Sequence, residues 1–374
     1  MKKKVVSMYK IAHLSSAHPR FDTRIFVKQC CSLGKQFDTY LVVADGKGNE
    51  NIHDVNIVDV GIYLGRKNRI LNATKAVYTK AVELNADLYH LHDPELIPIG
   101  LKLKKLGKKV IFDAHEDLPN QIQSKHYLNS ITKKILSFLV KKYEQYACSK
   151  LDGIVAATPF IRDKFLNINT NTIDINNFPK TEEFMKIKHS NVTDNNHVCY
   201  IGGLADVRGI TQMVEAIDFT DDTRLFIAGN FADTNLESKV KQMNGWKKVD
   251  FLGYVDREGI QNTLSKSFAG LVVLHPTQSY LDSLPVKMFE YMCAGIPVIA
   301  SDFPLWRSIV DEAQCGLCVD PLNPSAIASA IKTLNSNRID AQRMGENGRV
   351  AVLEKYNWNI EEQKLFEFYS KILG

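Results

Sequence analysis

The sequence predicts two doubly wound α/β domains in tandem, each a parallel sheet covered by helices on both faces. Three observations predict it. Short apolar runs alternate with helical stretches of about ten residues. The alternation restarts past the middle of the chain. A chain of 374 residues with 45% hydrophobic positions has room for two separate cores.

In the first half the expected strands are Val5–Leu14, Phe37–Val43, Asn56–Ile62, Leu88–His92, Lys109–Asp113 and Gly153–Ala157. They are apolar on both faces, as strands buried inside a parallel sheet are. Arg24–Leu33, Asn72–Leu84, Leu96–Leu106 and Ile131–Cys148 carry helical spacing between them. The second series is His197–Ile201, Arg224–Ala228, Val249–Leu252, Gly270–Leu274, Pro297–Ala300 and Leu317–Asp320. The join falls at Asn176-Asn177-Phe178-Pro179, where Pro179 disfavours a continuing helix, so domains are expected over 1–180 and 181–355.

Composition excludes several classes. With 24% charged residues, 21 Gly and 12 Pro, the chain is neither disordered nor fibrous. No uninterrupted apolar run is long enough to span a bilayer. The opening MKKKVVSMYKIAHLSS is basic and then apolar, but Lys10 and His13 interrupt it and no small-residue cleavage site follows. It is expected to be a first strand, not a signal peptide. Seven Cys without framework spacing point to reduced thiols in a cytoplasm, and the lone pair Cys315 and Cys318 reads as packing.

Net charge is +5, but it is unevenly spread. Residues 1–180 hold 28 Lys and Arg against 17 Asp and Glu, +11, and the remainder comes to −6. The basic half is suited to an anionic partner such as a membrane surface or a lipid phosphate. Nucleic acid is not expected, since no interleaved aromatic and basic motif is present. Within that half, Ile131–Tyr143 sets Lys133, Lys134, Lys141 and Lys142 around an apolar middle. Such a helix either rests on anionic headgroups or packs its Leu and Phe on the sheet.

Ligand sites of doubly wound sheets are built by loops at the carboxyl ends of strands. Polar clusters stand at those ends here: Ser15-Ser16-Ala17-His18-Pro19, His92-Asp93-Pro94-Glu95, Asp113-Ala114-His115-Glu116-Asp117, Gly202-Gly203 and His275-Pro276-Thr277. Two such edges facing one another would form an interdomain cleft. The segment Asp282-Ser283-Leu284-Pro285-Val286-Lys287-Met288-Phe289-Glu290 is the most informative. Leu284-Pro285-Val286 opens a helix whose free N–H groups, with Lys287, make a place for phosphate. Glu290, three residues on, shares that helix face and would accept two ribose hydroxyls. The same spacing also describes a capped helix whose Lys and Glu pair at the surface. In YIGGLADVRGI, the pair Gly202-Gly203 permits close approach of an anion, and Arg208 offers a diphosphate two donors. A tight strand-to-helix turn would look alike.

Taken together these segments resemble a retaining glycosyltransferase of the GT-B fold, glycosyltransferase family four. The resemblance rests on HPRFDTRIFVKQ, YHLHDPELIPIG, KKVIFDAHED, YIGGLADVRGI and LPVKMFEYMCAGIPVIASD, together with the late Trp358 segment. It implies transfer of a sugar, without a bound metal, from a nucleotide-sugar donor to a glycan or lipid-linked acceptor. It implies that Glu290 holds the ribose, Arg208 the diphosphate, and His115 the donor sugar from across the cleft. It also implies that 356–374 crosses back to the first domain. Two departures stand out: Asp282 is found where a first glutamate is common, and Gly203 where many members carry a basic residue. Diphosphate neutralisation would then fall to Arg208 and Lys287. On the acceptor side the candidates are His18, Asp22, His92, Asp93 and Glu95, with Asp22 equally explained as a cap ahead of Arg24–Leu33. The expected activity is transfer from a UDP-sugar in cell-surface polysaccharide synthesis, peripheral to the inner membrane face. A nucleotide-sugar epimerase on the same architecture and a non-catalytic scaffold are the alternatives.

Overall fold

The computed structural model describes residues 9–123, 129–187 and 195–374. Of the expected first strand, Val5 to Met8 lie outside the described residues. The chain forms two compact units, residues 1–177 with 359–374, and residues 178–358.

The first unit holds β1 (Lys10–Leu14), β2 (Asp38–Val43), β3 (Glu50–Ile52), β4 (Val55–Asp59), β5 (Leu88–Leu91), β6 (Lys109–Ala114), β7 (Gly153–Ala156) and β8 (Thr172–Asp174). They are ordered β3-β4-β2-β1-β5-β6-β7-β8. All ladders are parallel except β3 with β4, a short antiparallel edge. The strands β3 and β8 escaped the sequence reading because three-residue edge strands with polar positions carry no apolar run. The helix Trp358–Leu373 belongs to this unit from Asn359 onward. It packs so tightly on β7 that a Cβ at Gly153 would lie 2.6 Å from the Phe368 ring.

Two helices depart from expectation. Arg24–Leu33 is not an even α-helix. Thr23–Cys30 is wound as a π-helix, with Val27 N–H donating to the Asp22 carbonyl at 3.1 Å. The wider turn lets Arg24, Lys28 and Gln29 all be buried. Ser130–Cys148 does not pack its Leu and Phe on the sheet. Its buried side is Ser137, Glu144, Ala147 and Cys148, while Phe138 and Leu139 are 58% and 57% exposed. The small residues seat the helix closely, and the large ones are left outside.

The second unit holds β9 (His197–Ile201), β10 (Arg224–Ala228), β11 (Val249–Gly253), β12 (Ser267–Val272), β13 (Val298–Ser301) and β14 (Gly316–Val319). The order β11-β10-β9-β12-β13-β14, all parallel, is the doubly wound arrangement. Its core joins Trp306, Phe289, Tyr291 and Met292 on the side of the helix Val286–Ala294. Opposite lie Met213, Ile217, Ile331 and Leu334. In each sheet the strand order reverses once, between β1 and β5 and between β9 and β12. Loops diverge there and leave a crevice, and both sets of candidate residues follow those strands.

Candidate active site

In the second unit, β9 runs into Gly202, whose φ of +142° is a conformation that side-chain-bearing residues rarely adopt. Gly229, at the end of β10, backs it. A Cβ there would lie 1.9 Å from the Gly202 carbonyl oxygen. Tyr200 props the loop by donating its hydroxyl to the Gly203 carbonyl at 2.9 Å. A Cβ at Gly202 would meet Lys287 Nζ at 2.8 Å, and one at Gly203 would meet Arg208 Nη1 at 3.2 Å. Both glycines therefore face cations.

Lys287 is the decisive side chain. Its Nζ is shielded from solvent, has no hydrogen-bond partner, and stands 3.7 Å over the Tyr200 ring. Burial first, and then the neighbouring Arg208 charge, push this ammonium well below the usual lysine range. Lys287 and Arg208 have no ion-pair partner among the described residues, and two adjacent basic groups of that kind would suit an anion with more than one charge. Lys287 does not pair with Glu290 at the surface, because the first turn of Val286–Ala294 turns it inward toward β9.

Glu290 is half-buried on the next turn and takes Arg257 Nη1 on Oε1 at 3.1 Å. Arg257 also pairs with Glu183. Neither Arg257 nor Gly229 stood out in the sequence, though Gly229 sits at a strand end as Gly202 does. Asp282, Leu284, Pro285 and Val286 are all half-buried in the loop and first turn leading to Lys287. Trp306 anchors this loop by donating Nε1–H to the Ser283 carbonyl at 2.7 Å. The loop after β12 is tied to the glycine loop where His275 N–H donates to the Val207 carbonyl at 2.9 Å.

In the first unit, the ends of β1, β5 and β6 bring His13, His90, His92, Asp113 and His115 together. Asp113 is fully buried, and burial would raise its carboxyl. Arg24, His115 and His92 outweigh that and hold it well below the usual range. Arg24 donates Nη2–H to Oδ1 at 2.7 Å and Nε–H to Oδ2 at 3.1 Å, and Gln29 adds a third bond at 2.8 Å. Tyr369, from the last helix, closes the row against His90 Nδ1 at 2.6 Å.

Two acceptor-side candidates need correction. His92 and Asp93 are 1% and 2% exposed, too deep to touch an acceptor. Burial pulls His92 down to about 3, so it is a neutral ring bonded to His13 at 2.8 Å. Asp22 caps the π-helix, its Oδ1 accepting from the N–H groups of Arg24 and Ile25 at 2.9 Å. Glu95 pairs with Arg69 Nε at 2.9 Å. His18 and His115 keep 29% and 23% of their side chains exposed, with ring centroids 5.1 Å apart.

Ligand atoms of His92, Asp113 and His115 lie close enough to hold a cation, as do those of His13, His90 and His92. The first set does not suit one, since the Arg24 guanidinium already covers both Asp113 oxygens. In the second, His13 and His92 already share a hydrogen bond and His90 is bonded to Tyr369.

Residues 27–175 match the family described as Glycosyltransferase Family 4, and residues 181–351 match Glycosyl transferases group 1. The chain is a GT-B glycosyltransferase. It is 25% identical, over 73% of its length and 72% of the relative's, to an uncharacterized glycosyltransferase of Methanocaldococcus jannaschii. Among solved structures, this transferase is similar to sucrose-phosphate synthase of Thermosynechococcus elongatus. The TM-score is 0.78 at 18% identity, covering 97% of this chain and 99% of that one. It is also similar to HepE of Anabaena in complex with UDP, with a TM-score of 0.74 at 14% identity over 97% and 100% of the two chains. HepE has been solved with UDP-glucose as well.

Proposed function

We propose that this transferase moves a sugar from a UDP-sugar to a glycan or lipid-linked acceptor in cell-surface polysaccharide synthesis, with retention of anomeric configuration and without a metal. One observation carries the donor assignment: Lys287 Nζ, buried and unpartnered, beside Arg208 and Gly202. The two cations would take the diphosphate, and Glu290, one helical turn on, would take the ribose hydroxyls. His115 is assigned to the donor sugar from the resemblance, and Asp282 to positioning its hydroxyls. UDP as the base carrier is supported by the HepE complexes. As the bond to the phosphate breaks, charge grows on the departing oxygen, and fixed cations stabilise it without reorganising.

Titration calorimetry against UDP and GDP tests this reading. UDP is expected to bind, and to take up protons as it does so. Lys287 is depressed in the free protein and regains its proton beside an anion, so apparent enthalpies should change with the ionisation enthalpy of the buffer. If neither nucleotide binds, the donor assignment is wrong.

Peripheral membrane contact is supported by the helix Ser130–Cys148, which exposes Ile131, Ile135, Phe138 and Leu139 beside Lys134, Lys141 and Lys142. Among the described residues no helix is long and apolar enough to cross a membrane. Replacing Phe138 and Leu139 with Asp is expected to abolish co-sedimentation with phosphatidylglycerol vesicles while UDP binding persists. Equal sedimentation of both proteins would remove the membrane assignment.

A further inference from the structure

The helix Arg257–Ser265 opens on Arg257, and Asp256 caps it, Oδ1 accepting Gly259 N–H at 2.9 Å. From that fixed helix start the Arg257 guanidinium reaches two carboxylates that are far apart in sequence. Nη1 stands 3.1 Å from Glu290 Oε1, and Nη2 pairs with Glu183. All three residues belong to the second unit, so the arrangement is complete within it.

The guanidinium has a third contact. Its Cζ lies 5.1 Å over the ring of Phe184, which is 1% exposed. Glu183 is held in turn, since Gln261 Nε2–H donates to its carbonyl at 2.7 Å. An isolated surface ion pair contributes little, because two long side chains must be ordered to make it. A guanidinium stacked on a buried ring and forked between two carboxylates has already lost that freedom. Among the described residues, Arg257 is the one ion-pair partner of Glu290. The contact is to Oε1, and a carboxylate has about four acceptor positions on its two oxygens, so room is left for hydroxyl donors.

We propose that Arg257 is a positioning residue for Glu290, holding its carboxylate where the two ribose hydroxyls of the donor meet it, and that it thereby sets a preference for a ribonucleotide. The inference rests on the donor reading above and names the residue on which the ribose contact depends. A glutamate that is free to turn must be ordered when its ligand arrives, and that ordering is subtracted from affinity. Arg257 orders it beforehand. It acts through Glu290 alone and touches no reacting atom.

Titration calorimetry of the full chain with UDP and with dideoxy-UDP, which lacks both ribose hydroxyls, tests this. Hydrogen bonds to a charged group are strong, so the wild-type protein should prefer UDP by about 10–100-fold. Arg257→Met should bind UDP about 2–10-fold more weakly and keep dideoxy-UDP within about twofold of wild type. Retained dideoxy-UDP binding also shows that the variant is folded. When Glu290 is already changed to Gln, adding Arg257→Met should leave UDP affinity unmoved, because the two residues act as one. Equal weakening of both ligands would mean that Arg257 supports the fold or meets the phosphates, and would overturn the proposal. So would an Arg257→Met protein that binds UDP as well as wild type, or better, the latter making Arg257 a competitor of the ribose. The underlying reading fails differently. Wild-type protein that binds neither ligand would remove the donor assignment, and wild-type protein that binds both alike would remove the ribose from Glu290. Arg257 would lose its proposed role in either case.

Discussion

Lys287→Met is expected to lower turnover on a UDP-sugar by about 10²–10³-fold and, in the same protein, to raise the melting temperature. The two effects have one cause. In the free protein the Lys287 amino group is out of water and unpartnered, with the Tyr200 ring beneath it and Arg208 beside it. Leaving a buried donor unsatisfied costs about 1–3 kcal/mol, and methionine fills similar space without that cost. With donor bound as proposed, Lys287 would regain its proton and face the phosphate on which charge develops, and losing such a group costs about 3–4 kcal/mol of barrier. Thermal denaturation with and without UDP, beside turnover, checks both. A variant that loses stability and activity together would mark Lys287 as structural.

Arg24→Met is expected to destabilise the protein by about 3–5 kcal/mol, the largest effect of any single substitution considered. Arg24 makes two bonds to Asp113 and a third, from Nη1, to the Ile175 carbonyl at 2.6 Å. Arg24 is 6% exposed and Asp113 not at all, so removing the guanidinium leaves a carboxylate without its main partner. Because Asp113 is depressed in the folded state, its contribution is fully present above the ordinary Asp value of 3.8 and is lost as pH falls from there through its lower folded value. The deficit of Arg24→Met should thus be greatest near neutral pH and shrink in acid. Arg24→Met with Asp113→Asn should be less destabilised than Arg24→Met alone. Urea unfolding across pH measures this, and an equal deficit at every pH would contradict the account.

How much of this was legible depends on the range of the interaction. The strands of both sheets could be read because a strand buried on both faces is mostly apolar, as Phe268 to Val272 is, and Ile11 to Leu14 apart from His13. Lys287 and Glu290 could be singled out because a lysine and a glutamate in the first turns of a helix that follows a proline form a local pattern. What Lys287 does was not legible, since its burial depends on Tyr200 and Gly202, some eighty residues away. The pairing of His18 with Asp93 was hidden for the same reason: each was a candidate, and only adjacency of β1 and β5 joins them. Arg24 looked like one more polar residue after a capping Asp. The π-helical turn that buries it depends on Asp113 as a partner, which helical periodicity does not encode.

Every group proposed for the diphosphate and ribose, from Gly202 to Glu290, comes from one continuous stretch of chain that makes its own sheet. If the proposed assignment holds, recognition of the leaving nucleotide is modular. On that reading, descendants of this gene, or an engineer recombining it, would be free to alter what receives the sugar by exchanging residues of the first unit and leaving the nucleotide grip intact.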